Sequence, residues 1–129
     1  MATATKTSIL VVDDDANFRE TMADAMALKD VKVEGAMNGE EMRARLASHV
    51  PSVILLDVQL PDTHGFSLCR DIKANSRFKN VPVVLLSAKY TEPADRAEGL
   101  LTGADAFLSK PINMESLMEE VQYLLDKSA

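Results

Sequence analysis

The sequence predicts an α/β protein built on a doubly wound, five-stranded parallel sheet. Three apolar runs, "SILVV" (8–12), "VILLD" (53–57) and "VPVVLLS" (81–87), are short, continuous and rich in Val, Ile and Leu. Runs of this kind are typical of strands that helices cover on both faces. Helical stretches alternate with the runs, which favours parallel strands joined by crossover helices. A length of 129 residues fits one domain, and we expect it to span 1–129.

Two further runs complete the predicted sheet. The run "ADAFLSK" (104–110) is apolar in its middle. The run "VKVEGA" (31–36) is more polar and suits an edge strand. For this number of strands and helices we expect the strand order 2-1-3-4-5. The run 53–57 then lies at the centre of the sheet.

Helical stretches are predicted between the runs from apolar spacing and end signals. Asn38 is a candidate N-cap with Glu41 three residues later, Pro93 suits a first turn, and Gly103 suits a left-handed cap. Met22 and Met26 share one helix face with Phe18 and Ala25, so we interpret them as core residues rather than a binding surface. The predicted helices cover 17–29, 38–49, 65–77, 93–103 and 113–127.

Composition excludes several classes of function. Apolar residues make up 47% and charged residues 26%, which is ordinary for a soluble globular protein. The net charge is −6 with no basic block, so we expect no direct binding of nucleic acid. Cys69 is the single cysteine and excludes an internal disulfide. No apolar run approaches the length of about 18 residues that a membrane span needs, and "MATATKT" lacks the apolar core of a signal peptide. We expect a cytoplasmic protein without membrane insertion.

Polar residues follow the apolar runs at their carboxyl ends. Three adjacent acids, Asp13, Asp14 and Asp15, follow the first run. Carboxylates about 5 Å apart repel by roughly 3 kcal/mol at an effective dielectric of about 20, so their presence together needs an explanation. The carboxyl ends of parallel strands meet at one edge of a sheet, where ligands bind. We therefore expect the acids to hold a cation, with Asp57 exposed beside it for chemistry. The residues concerned are Asp13, Asp14, Asp15, Asp57, Ser87 and Lys110.

The cation is predicted to be Mg²⁺. His49 and His64 are isolated from each other and from the acids, so we expect them on loops or in solvent, and zinc has no ligand set. Carboxylate, carbonyl and water oxygens are the ligands of Mg²⁺. Lys110 should lie two strand spacings, about 10 Å, from Asp57, within reach of a long side chain. A cis peptide before Pro111 could turn that loop inward.

Four motifs in this order resemble the receiver (CheY-like) domain of two-component response regulators. They are "ILVVDDD", "VILLDVQLPDTHGFSLCRDIK", "VPVVLLSA" and "GLLTGADAFLSKPI", and together they cover essentially the whole chain. The resemblance implies a flavodoxin-like (βα)5 fold. It implies a phosphoacceptor domain that catalyses only its own phosphorylation and dephosphorylation, rather than a conventional enzyme. The implied partners are a sensor histidine kinase or phosphotransfer protein and a downstream output domain or partner protein.

The resemblance also assigns roles to individual residues. Asp57 matches the phosphoacceptor, and Asp13 and Asp14 match the acidic pair that binds Mg²⁺, Asp14 directly and Asp13 through water. Gln59 matches the position that gives its backbone carbonyl to the metal. Asp15 is then a solvated neighbour or a charge in the first turn of a helix.

The remaining matched positions concern the phosphoryl group and the signal. Ser87 matches the switch hydroxyl, Lys110 the phosphate-binding lysine and Phe107 the switch aromatic. On phosphorylation we expect Ser87 to move toward the phosphate and Phe107 to rotate into the space behind it. The surface formed by 93–102, 104–109 and 113–127 would then switch.

This sequence departs from the family pattern at four positions near these motifs. His64 stands where such loops often carry Asp, Phe107 replaces the commoner Tyr, and Ala106 replaces a frequent second Asp. Ser87 replaces the commoner Thr and keeps the hydroxyl. The last helical stretch carries Glu119 and Glu120 and lacks a basic set that would pair across a dimer face. We therefore expect a partner-binding face rather than a charge-paired dimer.

Alternative functions are separated by single features. A haloacid-dehalogenase-type phosphatase needs a second acid two residues after its nucleophile, where this chain has Gln59. A flavodoxin-type FMN module cradles a phosphate at its first loop, where Asp13, Asp14 and Asp15 would repel it. A phosphorylation-independent interaction module, with a vestigial site, stays open at this point.

Overall fold

A computed structural model describes residues 7–89 and 92–128. Five strands alternate with five helices along the described chain, as the sequence predicts. The stretch 1–6, which we expected to carry no signal peptide, lies outside the described residues. The strands are β1 (Ser8–Val12), β2 (Lys32–Ala36), β3 (Val53–Asp57), β4 (Val83–Ser87) and β5 (Ala106–Ser109). The helices are α1 (Ala16–Ala27), α2 (Gly39–Ser48), α3 (Gly65–Ala74), α4 (Pro93–Leu101) and α5 (Met114–Ser128).

The strands form one parallel sheet in the order β2-β1-β3-β4-β5, which confirms the predicted topology. The polar strand β2 is at one edge, and β3 is central. In the register of β3 with β4, Asp57 pairs with Leu86, and Ser87 pairs in turn with Ser109 of β5. The polar strand ends therefore lie side by side along one edge of the sheet.

Each face of the sheet packs against its own helices. On one face, side chains of the central strands pack against Met42 of α2 and Phe66, Leu68 and Cys69 of α3. On the opposite face they pack against α1 and α5 residues, namely Met22, Met26, Leu117, Val121 and Leu124. Every residue of β1, β3 and β4 is buried, which explains why their sequences are continuously apolar rather than alternating. The two methionines fill the core as predicted.

The predicted helix-end signals are confirmed. The side chain of Asn38 accepts a hydrogen bond of 2.8 Å from the backbone N–H of Glu41. Pro93 begins α4, and Gly103 has a φ of 101°, a conformation that glycine adopts without strain. Helix α3 is shorter than expected, because Asn75 takes an extended conformation and ends it. None of the helices in the described residues is long and apolar enough to cross a membrane.

Candidate functional site

Three carboxylates converge at the carboxyl ends of β1 and β3. Oxygen atoms of Asp13, Asp14 and Asp57 all lie within 4.8 Å of one another. Asp13 is fully buried and Asp57 is 6% exposed, whereas Asp14 is exposed to solvent. The sequence predicted this cluster from the positions of the acids at the strand ends, but the expectation of an exposed Asp57 is wrong, because its strand β3 lies at the centre of the sheet.

The backbone N–H and the carboxylate of Asp13 make three hydrogen bonds. Its backbone N–H donates to the Ala36 carbonyl at 3.0 Å, which extends the pairing of β1 with β2 by one residue. Its Oδ1 accepts from the Asp15 backbone N–H at 2.9 Å, and its Oδ2 accepts from the Lys110 ammonium at 2.7 Å. These partners satisfy the buried carboxylate and offset its charge.

Asp15 is the N-cap of α1. Its Oδ1 accepts from the backbone N–H groups of Asn17 at 2.9 Å and Phe18 at 3.3 Å. These are two of the N–H groups that a helix start leaves without a helical partner. The third adjacent acid therefore has a structural role, one position before the first turn, and is more than the solvated neighbour considered from sequence.

Lys110 reaches the acids from the loop after β5. The Lys110–Pro111 peptide is cis, as the sequence suggested. The Lys110 nitrogen lies 2.7 Å from Asp13 Oδ2, 3.5 Å from Asp57 Oδ2 and 5.5 Å from the centre of the Phe18 ring. Burial lowers the pKa of Lys110, but the hydrogen bond to Asp13 and the charges of Asp13 and Asp57 outweigh it, so that the pKa is raised. The lysine is a fixed cation at this site.

Asp57 has a perturbed pKa. The pKa of Asp57 is raised from 3.8 to about 6, first by burial and then by the negative charge of Asp13. The charge of Lys110 and a 3.3 Å hydrogen bond from the Gln59 backbone N–H act in the opposite direction. At neutral pH the group is therefore mainly ionised, yet it is a stronger base than an ordinary aspartate.

An open cleft of about 400 Å³ lies beside these groups. Its lining residues are Asp14, Asp57, Gln59, Leu60, Pro61, Ala88 and Lys110. Three carboxylates at close range, open to solvent on one side, suit a small hard cation that keeps water ligands. The donor set therefore fits Mg²⁺, with Asp14 and Asp57 facing the cleft.

Ser87 lies at the end of β4, one residue beyond the pairing partner of Asp57. It is 1% exposed, and its carbonyl accepts a 2.7 Å hydrogen bond from the backbone N–H of Lys110. The structure thus brings the predicted hydroxyl and the lysine loop to the strand end next to Asp57.

Phe107 is already buried, with 2% of its surface exposed. Its ring meets the Phe66 ring edge to face at 6.4 Å, and the Arg96 guanidinium lies 5.8 Å from its centre. A Cβ atom on Gly99 would lie 2.7 Å from the ring, so the absence of a side chain there makes room for it. The ring is therefore already inside the fold in this conformation, and its rotation on phosphorylation stays a prediction.

Two helix caps near the site were missed by sequence reasoning. Asp62, in the loop after β3, accepts from the backbone N–H groups of Gly39 at 2.9 Å and Glu40 at 3.1 Å, and these bonds lower the pKa of Asp62. His64 accepts through Nδ1 from the Phe66 N–H at 3.1 Å and so caps α3. The signal for His64 was its place directly before Gly65, at a helix start, since histidine nitrogen can act as a cap acceptor.

The other histidine lies away from the acidic cluster. His49 Nε2 is 3.4 Å from Glu34 Oε1 and 3.5 Å from Ser8 Oγ, at the amino end of β1. Neither histidine belongs to the metal-type cluster found in the described residues. This agrees with a site made of oxygen ligands.

Comparison with known proteins identifies the family. A family model described as the response regulator receiver domain matches residues 9–122. The chain is 38% identical over 121 residues to the transcriptional regulatory protein GltR of Pseudomonas aeruginosa, covering 94% of this chain and 50% of that protein. It is 32% identical over 114 residues to protein PilG of the same organism, covering 88% and 84%. The chain spans about half the length of several curated relatives that it matches.

Solved structures of response regulators have the same fold as this chain. The chemotaxis response regulator CheY4 of Vibrio cholerae superposes with a TM-score of 0.85 at 30% identity, covering 93% of this chain and 99% of that one. The strand order is that of the flavodoxin-like CheY fold. Because the family match runs from β1 into α5, and so includes both acid loops and the lysine loop, this chain belongs to the receiver domains of two-component response regulators.

Proposed function

We propose that the chain accepts a phosphoryl group on Asp57 from the phosphohistidine of a sensor histidine kinase or phosphotransfer protein. The observation that carries this proposal is the position of the Asp57 carboxylate, which has two acids and a lysine around it and an open cleft in front of it. A carboxylate nucleophile in such surroundings is suited to forming an aspartyl phosphate.

The transfer itself needs little beyond positioning. A carboxylate oxygen of Asp57 forms a bond to phosphorus while the bond from phosphorus to the histidine nitrogen breaks. That nitrogen keeps the electron pair of the broken bond and takes a proton from water. Because the pKa of Asp57 is about 6, the attacking carboxylate is mainly deprotonated at neutral pH.

Charge on the transferred group would be neutralised by the residues around it. Asp13, Asp14 and Asp57, with the backbone carbonyl of Gln59, would hold Mg²⁺, which supplies positive charge to the phosphoryl oxygens when bound. Lys110, 3.5 Å from Asp57, would pair with another oxygen. The hydroxyl of Ser87 would donate to a third.

The signalling consequence is a change at one surface of the domain. We propose that α4, β5 and α5 form a surface that binds a downstream output domain or partner protein and that phosphorylation switches it. The residues that couple this surface to the site are Ser87 at the end of β4 and Phe107 of β5. Residues 1–129 would act as one receiver domain in the cytoplasm, regulated by its own phosphorylation and dephosphorylation.

Phosphorylation of the purified protein tests the proposal directly. With Mg²⁺ and acetyl phosphate, intact-mass analysis should show the gain of one phosphoryl group on the wild type and none on Asp57→Asn. Omission of Mg²⁺ should abolish the gain. Equal labelling of the variant would remove Asp57 as acceptor, and no labelling by acetyl phosphate or a panel of phosphorylated histidine proteins would favour the phosphorylation-independent interaction module.

The switch requires a separate measurement. Amide chemical shifts around Ser87, Phe107 and 93–102 should move when beryllofluoride, a phosphoryl mimic, is added with Mg²⁺. Sedimentation at the same concentrations should give an unchanged mass. Shifts confined to the loop after Asp57 would contradict the switch, and a tight dimer would contradict a partner-binding face.

A further inference from the structure

We propose that Arg19 is a positioning residue for the acidic pair that binds the cation. Arg19 lies on the first turns of α1, and its Nη1 donates a 2.7 Å hydrogen bond to the backbone carbonyl of Asp13. The inference rests on the proposed function, because it concerns how the same site holds Mg²⁺. No sequence motif indicated a role for this residue.

The position of the contact explains its consequence. The carbonyl of Asp13 belongs to the peptide unit that joins Asp13 to Asp14, and this unit is planar. The hydrogen bond from the Arg19 guanidinium to that carbonyl therefore fixes the orientation of the peptide plane. This plane includes the N and Cα atoms of Asp14, so it sets the direction in which the Asp14 side chain leaves the backbone. The carboxylate of Asp13 is already held by Lys110 and by the Asp15 N–H, whereas Asp14 is exposed. Arg19 thus orients the less constrained acid.

The edge strand makes room for the arginine. Gly35 of β2 pairs with Val11 of β1, one residue before the strand end. A Cβ atom at Gly35 would lie 3.1 Å from Cδ and 3.5 Å from Nε of Arg19. Glycine inside a strand weakens the strand, so its presence needs a reason such as the close approach of another group. Here the stem of Arg19 passes over the glycine on its way to Asp13.

A role of Arg19 as a charge and a role in positioning predict opposite changes in Mg²⁺ affinity when Arg19 is removed, so the two roles can be distinguished. If Arg19 acted only as a positive charge near the site, its removal would relieve repulsion of the cation and tighten Mg²⁺ binding. If Arg19 orients Asp14, its removal should weaken Mg²⁺ binding, by roughly tenfold as for residues that orient metal ligands in other proteins. Arg19→Lys keeps the charge but lacks the planar guanidinium group. Its Mg²⁺ affinity should therefore lie between that of the wild type and that of a variant that lacks the charge.

The experiment is a Mg²⁺ titration followed by the amide chemical shifts of residues 13–15 and 59. Arg19→Met should raise the Kd about tenfold, and the Asp14 amide should already be shifted in the metal-free variant. Arg43→Met is the matched control, because Arg43 is an exposed arginine on α2 and its loss changes the net charge equally. Its Kd should equal that of the wild type. An Arg19→Met variant that binds Mg²⁺ as tightly as the wild type, or more tightly, overturns the inference.

Gly35→Val gives a second, independent perturbation. Valine favours strand conformation, so the fold should tolerate it, but its side chain would displace the stem of Arg19. We expect weaker Mg²⁺ binding in Gly35→Val and no further loss when it is added to Arg19→Met. An equal loss in both backgrounds overturns the coupling. If Arg19→Met does not fold, Gly35→Val alone decides, with unchanged Mg²⁺ binding against the inference.

The outcomes separate the two proposals. A wild-type protein that binds no Mg²⁺ at millimolar concentration contradicts the proposed function and this inference together. A wild-type protein that binds Mg²⁺ and becomes phosphorylated, with Arg19→Met unchanged in both respects, contradicts only the role of Arg19.

Discussion

Lys110 makes its closest contact with Asp13 rather than with Asp57. The Lys110 nitrogen is 2.7 Å from Asp13 Oδ2 and 3.5 Å from Asp57 Oδ2. Asp13 is fully buried, and a buried carboxylate without a partner would be strongly destabilising. The lysine therefore stabilises the resting site through Asp13 and stays within reach of a phosphoryl group on Asp57.

Replacing Lys110 should change both chemistry and titration. In Lys110→Met the rate of phosphorylation should fall about 10- to 100-fold, since a hydrogen bond to a charged group contributes about 1.5–3 kcal/mol. The pKa of Asp57 should rise above its present value of about 6, because the charge of Lys110 lowers it. Intact-mass kinetics and carboxyl carbon NMR measure the two effects. Lys127→Met, at the far end of α5, should alter neither, and an unchanged pKa of Asp57 in Lys110→Met would contradict the charge argument.

The raised pKa of Asp57 makes stability depend on pH. Below about pH 4 the group is protonated in both the folded and unfolded states, and it contributes nothing. Between 3.8 and about 6 the folded state keeps a proton that the unfolded state has lost, so stability falls as pH rises. Above this range, keeping Asp57 ionised in the folded state lowers the free energy of unfolding by up to about 3 kcal/mol. Asp57→Asn carries no such charge and should be more stable than the wild type at pH 7.

Urea unfolding of the metal-free proteins between pH 3.5 and 8 measures this difference. The stability gap between Asp57→Asn and the wild type should open between about pH 4 and about pH 6 and stay constant above. A gap that is the same at every pH would show that the titration of Asp57 is not its cause.

The adjacent acids should separate metal binding from stability. Asp14→Ala removes a predicted ligand and should weaken Mg²⁺ binding by more than the roughly tenfold loss seen for residues that only orient ligands. It should leave the metal-free fold as stable as before or slightly more stable, because one like charge is lost. Calorimetric Mg²⁺ titration and chemical unfolding measure the two quantities.

Asp15→Ala is the matched comparison. It removes the N-cap of α1 and should cost about 1 kcal/mol of stability, with a smaller effect on Mg²⁺ binding than Asp14→Ala. Asp15→Asn keeps a capping oxygen and should restore the stability. A larger loss of Mg²⁺ affinity in Asp15→Ala than in Asp14→Ala would reverse the assignment of ligand and cap.

Gly99 should be intolerant of a side chain even though it lies in a helix. Alanine improves helix propensity by up to about 1 kcal/mol, but its Cβ would lie 2.7 Å from the Phe107 ring and 3.1 Å from Phe66. Overpacking of a core typically costs about 1–3 kcal/mol, so we expect Gly99→Ala to be destabilised. Thermal unfolding measures the change.

A second substitution shows whether the ring is the cause. Phe107→Ala removes the ring atoms Cδ2 and Cε2 that the new Cβ would meet, so the combined variant should lose less stability than the sum of the single variants. Strict additivity would mean that Gly99 and Phe107 do not constrain each other.

The sequence by itself determined the sheet and the meeting of its polar ends. Continuous apolar runs require strands covered on both faces, and parallel strands bring their carboxyl ends to one edge. Asp13, Asp14 and Asp57 therefore had to lie close together once the strand order was known. The helix-end signals at Asn38, Pro93 and Gly103 are equally local, because they depend on the neighbouring backbone alone, and the predicted ends were found there.

Only the tertiary structure decided which side chains meet. The spacing of residues along the sequence did not predict three contacts. These are the contact of Lys110 with Asp13, the path of Arg19 over Gly35 to the Asp13 carbonyl, and the packing of the Phe107 ring against Gly99. Each contact joins residues from different elements, and its geometry depends on how far each helix stands from the sheet and on which rotamer the surrounding packing allows. The same packing already buries Phe107, because the position of α4 against β5 is set by contacts that no local pattern of residues encodes.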